Sequence, residues 1–294
     1  MGKLTKLFAI VLLIGGITAC SKPADESKKE SENFGGLALY TLRDTMGVAP
    51  KEVLKEVQSI GYKYVEAAGY NDGTFYGMEP GMFKLYMDEI GLIPMSTHMG
   101  MTNYENADQL IKDTKAAGFT YFVIPVPPMG MFTYDAEAQK MGMKGDLDEL
   151  VNFLNTVGEK ASAAGLKLLY HNHDFEFEPN EDGVIPIEYM LENTNPDFVN
   201  FQMDLFWVTR AGASPQEYFE NYPGRFKSWH VKDMDDQKRF APVTEGTIDF
   251  ASILAEKEQS GMEIYFVEQD MTFNHKPMEA IRISHEGLKT IGFN

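Results

Sequence analysis

The stretch Asp146–His173, DLDELVNFLNTVGEKASAAGLKLLYHNH, decides the fold class of this chain. Its first part, Asp146–Ala164, has the apolar spacing of an amphipathic helix. Gly165 stands where a left-handed residue commonly ends a helix, and Leu166–Tyr170 is a short apolar run typical of a buried strand. Two histidines follow at the end of that run. Helix, glycine, strand and polar strand end together indicate one repeat of an α/β protein.

The same rhythm extends outward in both directions along the chain. A helix is predicted over Pro50–Ile60, with proline in its first turn, and a long Met- and Gly-rich loop is predicted over Met129–Gly145. Residues 35–294 have the usual length of a single (β/α)8 TIM barrel, which is the predicted fold. The eight predicted strands are Leu37–Leu42, Tyr62–Ala67, Ile93–His98, Tyr121–Pro125, Leu166–Tyr170, Val199–Met203, Phe226–Val231 and Ile264–Glu268.

The first residues have the pattern of an export signal. Two lysines precede the apolar run Leu7–Ile14, which is too short to span a bilayer, and small residues then lead to Cys20. This pattern predicts a signal peptide over residues 1–19, a lipidated Cys20, and a flexible tether over residues 20–34. The protein is then exported and held by its lipid at a bacterial membrane, facing the periplasm or the cell surface. A secreted protein cut elsewhere is the alternative.

Composition excludes several classes of function. The chain has 26 Lys and Arg against 44 Asp and Glu, a formal net charge of −18, which would repel a phosphate backbone. We therefore expect no nucleic-acid partner. Cys20 is the only cysteine, so an intramolecular disulfide, a Cys-rich zinc site and a thiol-pair redox motif are all excluded.

Polar side chains of the metal-ligand type follow the predicted strands where each strand ends. In a (β/α)8 barrel these ends meet at one mouth, where active sites are built. A cage that mixes imidazole and carboxylate groups suits Mn²⁺, Co²⁺, Zn²⁺ or Fe²⁺ better than Ca²⁺. The ligand-type residues are His98, His171, Asp204, His230 and Glu268, and Glu66 is a further polar residue at the end of a strand.

Several segments resemble the xylose isomerase-like barrel superfamily, which includes sugar isomerases, epimerases, inosose dehydratases and endonuclease IV-like enzymes. The segments are GLKLLYHNHDFEF (Gly165–Phe177), FVNFQMDLFWVTRAG (Phe198–Gly212), SWHVKDMD (Ser228–Asp235), VTEGTIDF (Val243–Phe250) and IYFVEQD (Ile264–Asp270). The resemblance implies one divalent ion, Mn, Co, Zn, Fe or Mg with Mn or Zn favoured, held by residues from strands five to eight. Asp204, His230 and Glu268 match three family ligands, whereas His171 stands where the family has glutamate.

The resemblance implies a metal-dependent sugar isomerase or epimerase that acts through an enediolate on a small carbohydrate. Glu268 is the candidate base, with His173 or Lys232 relaying a proton or stabilising charge. His173 is also an alternative to His171 as a ligand.

Three further residues are candidate substrate contacts. They are His98, Glu66 as a polar wall of the site and Trp207 as a face on which a sugar ring stacks. Each of them also has a purely structural explanation, and Lys232 has one too, as an exposed lysine at a strand end. A lyase that eliminates from 3-keto-glycosides is the alternative function, and a silent sugar-binding lipoprotein is another. A nuclease is disfavoured, and the sequence leaves the oligomeric state open.

Overall fold

Eight parallel strands close into a barrel in the computed structural model, which describes residues 1–2, 35–137 and 140–293. Each strand pairs in parallel with the next along the chain, and the first pairs with the last. The (β/α)8 fold predicted from the sequence is therefore confirmed. The strands are β1 Gly36–Ala38, β2 Tyr64–Ala67, β3 Ile93–His98, β4 Tyr121–Ile124, β5 Lys167–His171, β6 Val199–Asp204, β7 Phe226–Val231 and β8 Ile264–Val267.

Helices lie between the strands, and their ends follow local sequence signals. Five of them begin with proline in the first turn, where its missing N–H has no intrahelical acceptor. The helices are α1 Arg43–Met46, α2 Pro50–Ile60, α3 Pro80–Ile90, α4 Ala107–Ala116, α5 Leu147–Ala163, α6 Pro186–Asn193, α7 Leu205–Arg210, α8 Pro215–Asn221, α9 Phe250–Ala255, α10 Lys257–Ser260 and α11 Pro277–Ile291. No helix within the described ranges combines the length and apolar character needed to cross a bilayer.

The predicted repeat around α5 and β5 forms nearly as expected. Asp146 precedes α5 and its side chain accepts a hydrogen bond from the Asp148 backbone N–H, which caps the helix. Gly165 has a φ of 76°, the left-handed conformation that glycine adopts without strain. The chain then turns directly into β5.

A small apolar cluster fills the barrel below the polar strand ends. It comprises side chains from several strands, among them Leu169 of β5 and Phe266 of β8. Because alternate strand residues face the same side, His171 and Glu268 lie on the same side of their strands as these two residues. Gly36 makes room for the cluster, since a Cβ atom there would lie 2.3 Å from the Phe266 ring. The apolar cluster thus forms a floor beneath the polar groups.

One predicted strand is shorter than expected. β1 ends at Ala38, and Leu39–Leu42, predicted as strand, forms a 3-10 helix. The segment Met129–Gly145, predicted as a long loop, does connect β4 to α5, and it contains an antiparallel hairpin of Phe132–Asp135 with Lys140–Met143. The hairpin was not predicted because such pairing depends on non-local contacts, which apolar periodicity does not record.

Two further hairpins lie in loops that follow barrel strands. Tyr70–Asn71 pairs with Thr74–Phe75 after β2, and Asp233–Met234 pairs with Phe240–Ala241 after β7. The predicted signal peptide, Cys20 and the tether fall mainly on residues 3–34, outside the described residues.

Candidate metal centre

The predicted ligand-type residues gather at one end of the barrel. Glu66, from β2, is buried beneath the histidines of this group. Its Oε2 accepts hydrogen bonds from Ser96 Oγ at 2.6 Å and Gln202 Nε2 at 2.7 Å. Its Oε1 lies 3.0 Å from His98 Nε2 and 2.5 Å from His230 Nε2. Burial opposes ionisation, but these two imidazoles outweigh it and hold the pKa of Glu66 well below its usual range.

Gln202 fixes the orientation of two imidazoles. Its amide nitrogen donates to Glu66 and to Ser228 Oγ, so its carbonyl oxygen faces the histidines. That oxygen lies 2.9 Å from His98 Nε2 and 3.0 Å from His171 Nδ1, which places an N–H at His171 Nδ1. Burial and neighbouring cationic groups lower the pKa of His171 well below its usual value. His171 is therefore a neutral imidazole whose Nε2 lone pair is free, 3.8 Å from Asp204 Oδ2.

His230 bridges two carboxylates. Its Nε2 faces Glu66, and its Nδ1 lies 2.9 Å from Glu268 Oε2. Burial alone would lower the pKa of His230, but Glu268 and Glu66 raise it to about 10. Without a metal ion, this side chain is an imidazolium.

The ammonium group of Lys232 is surrounded by carboxylates. It donates to Glu268 Oε2 at 2.5 Å and to Asp270 Oδ2 at 2.6 Å, and it forms an ion pair with Asp204 Oδ2 at 2.7 Å. Burial would lower the pKa of Lys232, but the three carboxylates raise it well above its usual value. Lys232 is thus buried and paired, and a substrate oxygen must compete with carboxylates to reach it.

Glu268 contacts both of these cations. Burial opposes its ionisation, yet Lys232 and His230 hold the pKa of Glu268 well below its usual range. A carboxylate held this way is a good metal ligand and a weak base.

Asp204 has one oxygen oriented by the backbone and one facing the cluster. Its Oδ1 accepts from the backbone N–H groups of Phe206 and Trp207, both at 3.0 Å, which caps α7. Its Oδ2 is buried and, among the described residues, has the Lys232 ion pair but no hydrogen bond of good geometry. Burial raises the pKa of Asp204 to about 6.

These groups fit a divalent ion. Donor atoms of Asp204, His230 and Glu268 lie within 4.8 Å of one another, and so do those of His98, His171 and His230. Four carboxyl groups face only two cationic side chains, so the cluster can accept further positive charge. Asp204, His230 and Glu268 would hold the ion, and the Lys232 ammonium, which pairs with two of these three residues, would then compete with it for their carboxylates.

The cluster opens into a cavity of about 270 Å³. His98, His171, His173, Glu268 and Asp270 line it on the polar side. His173 is neutral, because burial and Lys232 lower its pKa to about 3, and its Nδ1 is buried with no hydrogen-bond partner in the part of the chain that the structure describes.

Two predicted substrate contacts lie away from this cavity. Glu66 is beneath the histidines and is only 1% exposed. Trp207 packs against His173 at a centroid distance of 5.5 Å and against Phe240, and it does not line the cavity. His98, by contrast, does line it.

Sequence reasoning missed Gln202 and Asp270. Gln202 lies two residues before Asp204 in β6, so strand alternation was the signal that pointed to it, whereas Asp270 lies in the loop after β8, where alternation gives no signal. The same interval relates Lys232 to His230.

Glu176 is a buried carboxyl group behind His173. It accepts hydrogen bonds from the Tyr170 hydroxyl at 2.8 Å and from the His173 backbone N–H at 2.8 Å. Burial raises its pKa to about 8. Glu176 therefore positions the backbone of His173, next to the cavity.

We expect the raised pKa of Glu176 to make stability depend on pH. The folded pKa of Glu176, about 8, exceeds the ordinary value of 4.5. The contribution of the protonated carboxyl group to folding stability is therefore complete below pH 4.5 and is lost as the pH rises through the folded pKa. The loss is at most about 1.4 kcal/mol per pH unit. Glu176→Gln, whose amide can donate to Tyr170 and accept from His173, should flatten this decline.

Urea unfolding of both proteins from acid to mildly alkaline pH measures this difference. Glu178→Gln is the control, because Glu178 is an exposed side chain paired with Lys140. Identical pH profiles for the wild type and Glu176→Gln would contradict the expectation.

Comparison with known proteins agrees with the fold. The xylose isomerase-like TIM barrel family matches residues 54–291. An inosose dehydratase from Salmonella agona is 26% identical over 147 residues, which cover 43% of this chain and 48% of that protein. The chain spans about half the length of most of the curated relatives it matches.

Two solved structures share the barrel. A sugar phosphate isomerase/epimerase from Parabacteroides distasonis has a TM-score of 0.73 and 25% identity, covering 90% of this chain and 96% of that one. The IOLI protein with a bound zinc atom has a TM-score of 0.65 at 16% identity and covers 87% and 96%, which shows a common fold. Since the family match covers most of the described barrel, the chain belongs to the xylose isomerase-like TIM barrel family.

Proposed function

We propose that this protein is an enzyme that moves a proton at the carbon next to a sugar carbonyl, with one divalent metal ion. The observation that carries this proposal is the cluster of Asp204, His230 and Glu268, which opens beside His173 into a cavity. His171 is the fourth proposed ligand, because its free Nε2 points toward Asp204. The substrate class, a small carbohydrate, is supported by the sugar phosphate isomerase/epimerase named among similar structures.

The protein's own groups divide the work. A divalent ion bound by these residues supplies Lewis-acid stabilisation of the negative charge that develops on a sugar oxygen. Asp204 orients the site through its cap on α7, and Gln202 holds His98 and His171 in fixed tautomers. His173 is the base that this arrangement supports best, because it lines the cavity and its buried Nδ1 has no hydrogen-bond partner in the part of the chain that the structure describes. Glu268 is engaged by Lys232 and His230 instead.

The choice of base gives a testable difference. We expect His173→Gln to slow exchange of the substrate's α-proton with solvent by at least about 100-fold, the usual contribution of a positioned base. Glu268→Gln should reduce metal binding as well as exchange. Solvent deuterium incorporation, measured by NMR at equal metal occupancy, separates the two effects. Wild-type exchange in His173→Gln and its loss in fully metal-loaded Glu268→Gln would return the role of base to Glu268.

Elimination is the second candidate reaction. Loss of the C2 proton from a 3-keto-glycoside gives an enediolate, which can break the bond to the C1 substituent and form a C1–C2 double bond instead of being reprotonated, so the same site would serve a lyase. One observation favours it, the similarity to inosose dehydratases. Product analysis distinguishes the candidates, with ordinary sugars and 3-keto-glycosides offered to metal-loaded and chelator-treated protein. If the protein binds metal but turns over none of these compounds, the remaining candidate is a sugar-binding lipoprotein without catalytic activity.

We also propose that Cys20 is lipidated and holds the enzyme at a bacterial membrane. The supporting pattern is the apolar run and small residues that precede Cys20. Cys20→Ala should abolish incorporation of radiolabelled fatty acid and shift the protein to unprocessed precursor or soluble fractions. Absence of label in the wild-type band would show that the protein is not a lipoprotein.

A further inference from the structure

The metal cluster's cavity adjoins a larger open region on one side of the barrel mouth. Tyr40 and Ala68 line both this cavity and a second one of about 600 Å³. His98, Gly100 and Ala68 also line a third cavity of about 430 Å³. We call the second and third cavities together the outer cleft.

The outer cleft is built by small residues and a fixed tyrosine. Ala68, Gly69 and Gly100 present little or no side chain where the chain leaves β2 and β3. Tyr76 lies across Gly69, where an added Cβ would come within 2.1 Å of its ring, and its hydroxyl accepts a hydrogen bond from the Ala68 backbone N–H at 2.9 Å. Tyr76 has a φ of 51°, a conformation unfavourable for a side chain of this size. Such strain persists only where the surrounding contacts hold it, so the cleft is preformed.

The chemistry of the lining suits a neutral, flat ligand with hydroxyl groups. Tyr40 is 40% exposed and carries the Arg43 guanidinium 4.5 Å from its ring centroid. Tyr70 contributes a second ring, and Asn71 and Thr74 add an amide and a hydroxyl. Aromatic faces bind the apolar face of a planar or sugar ring, while convergent polar groups fix its orientation. In the 600 Å³ cavity Arg43 is the one charged side chain of the described lining, so this cavity offers little positive charge to bind a phosphate group.

Size supports a second ring. The cavity at the metal cluster, about 270 Å³, is smaller than the range of about 300 to 1,000 Å³ usual for ligand pockets. The outer cleft adjoins it with two further cavities of about 600 and 430 Å³, each within that range and large enough to take another ring.

We propose that the outer cleft binds the second ring of a two-ring glycoside, a sugar or an aryl aglycone, while the reacting ring lies against His98 and His173. This inference rests on the proposed function for the position of the reacting ring. The outer cleft itself is defined by Tyr40, Tyr70, Asn71 and the small residues beside them.

The test compares ligands with one ring and with two. Glucose, cellobiose and 4-nitrophenyl β-glucoside, each also as its 3-keto form, are titrated into the full chain by calorimetry. We expect at least one two-ring probe to bind tenfold or more tighter than its one-ring counterpart. Comparing the affinity for cellobiose with that for 4-nitrophenyl β-glucoside shows whether the second ring is a sugar or an aryl group.

Variants locate the second ring. Tyr40→Ala and Asn71→Ala should each remove most of that tenfold difference. Asn71→Ala, whose side chain lines the outer cleft but not the cavity at the metal cluster, should change the one-ring Kd by less than threefold. Tyr104→Ala is the matched control, because this tyrosine is 51% exposed and lines none of the three cavities. Circular dichroism confirms that the variants are folded.

Two outcomes overturn the inference: no measurable two-ring preference in the wild type, or a preference that both Tyr40→Ala and Asn71→Ala retain. Turnover of a sugar together with either outcome would leave the proposed function intact. Tight two-ring binding that depends on Tyr40, with no turnover at any metal loading, would instead support the cleft and reject the proposed reaction.

Discussion

Asp204→Asn is expected to weaken binding of Mn²⁺ or Zn²⁺ by at least about 100-fold, more than the loss typical of a residue that only orients a ligand. The substitution keeps an oxygen that can cap α7 through Phe206 and Trp207. It removes the negative charge at the buried Oδ2, the atom that faces Lys232 and His171. The expected loss therefore comes from the ligand atom and not from the helix.

His98→Gln is the comparison for this experiment. His98 belongs to the second group of potential donors but not to the group of Asp204, His230 and Glu268. We expect it to reduce metal affinity less than Asp204→Asn does. Metal content after dialysis and calorimetric titration of the chelator-treated proteins measure both effects. Equal metal binding by the wild type and Asp204→Asn would remove Asp204 from the metal site, and no uptake by the wild type would reject the metal proposal altogether.

Lys232→Met is expected to destabilise the metal-free protein by about 3 to 5 kcal/mol, the usual cost of removing one partner from a buried ion pair. The substitution leaves Asp204, Glu268 and Asp270 facing one another without their shared cation. Uptake of a proton by Asp204, whose pKa is already raised to about 6, limits the loss. Mn²⁺ or Zn²⁺ should then raise the unfolding midpoint of this variant more than that of the wild type, because the ion replaces the missing charge.

Lys84→Met is the matched control, since Lys84 also pairs with a carboxylate at 2.6 Å but on the surface. It should cost less than about 1 kcal/mol. Thermal and urea unfolding of the wild type and of both variants, each in chelator and with added Mn²⁺ or Zn²⁺, measure these differences. If Lys232→Met is as stable as the wild type in chelator, the ammonium is not the counter-charge of this cluster.

Much of the fold was predictable because its signals are local. The apolar run Leu166–Tyr170 marks a strand, and Gly165 marks the end of the helix that precedes this strand. Both signals are independent of the rest of the chain. Parallel strands place their carboxyl ends at the same mouth, so Asp204, His230 and Glu268 were expected together and lie together. The hairpin at Phe132–Asp135 was not predictable in this way, since its strands find their partner only in the folded loop.

The sequence by itself determined the closed barrel and which polar residues stand at the strand ends, because these follow from apolar periodicity and from strand direction. The family followed from the resemblance of whole segments, such as Gly165–Phe177. Only the tertiary structure decided what each of those side chains contacts. Lys232 is an internal cation because Asp270 arrives from the next strand's loop, and Glu66 lies beneath the histidines because Ser96 and Gln202 hold it there. These partners are distant in sequence, and a few ångströms of side-chain position separate a ligand, a base and a buried counter-charge.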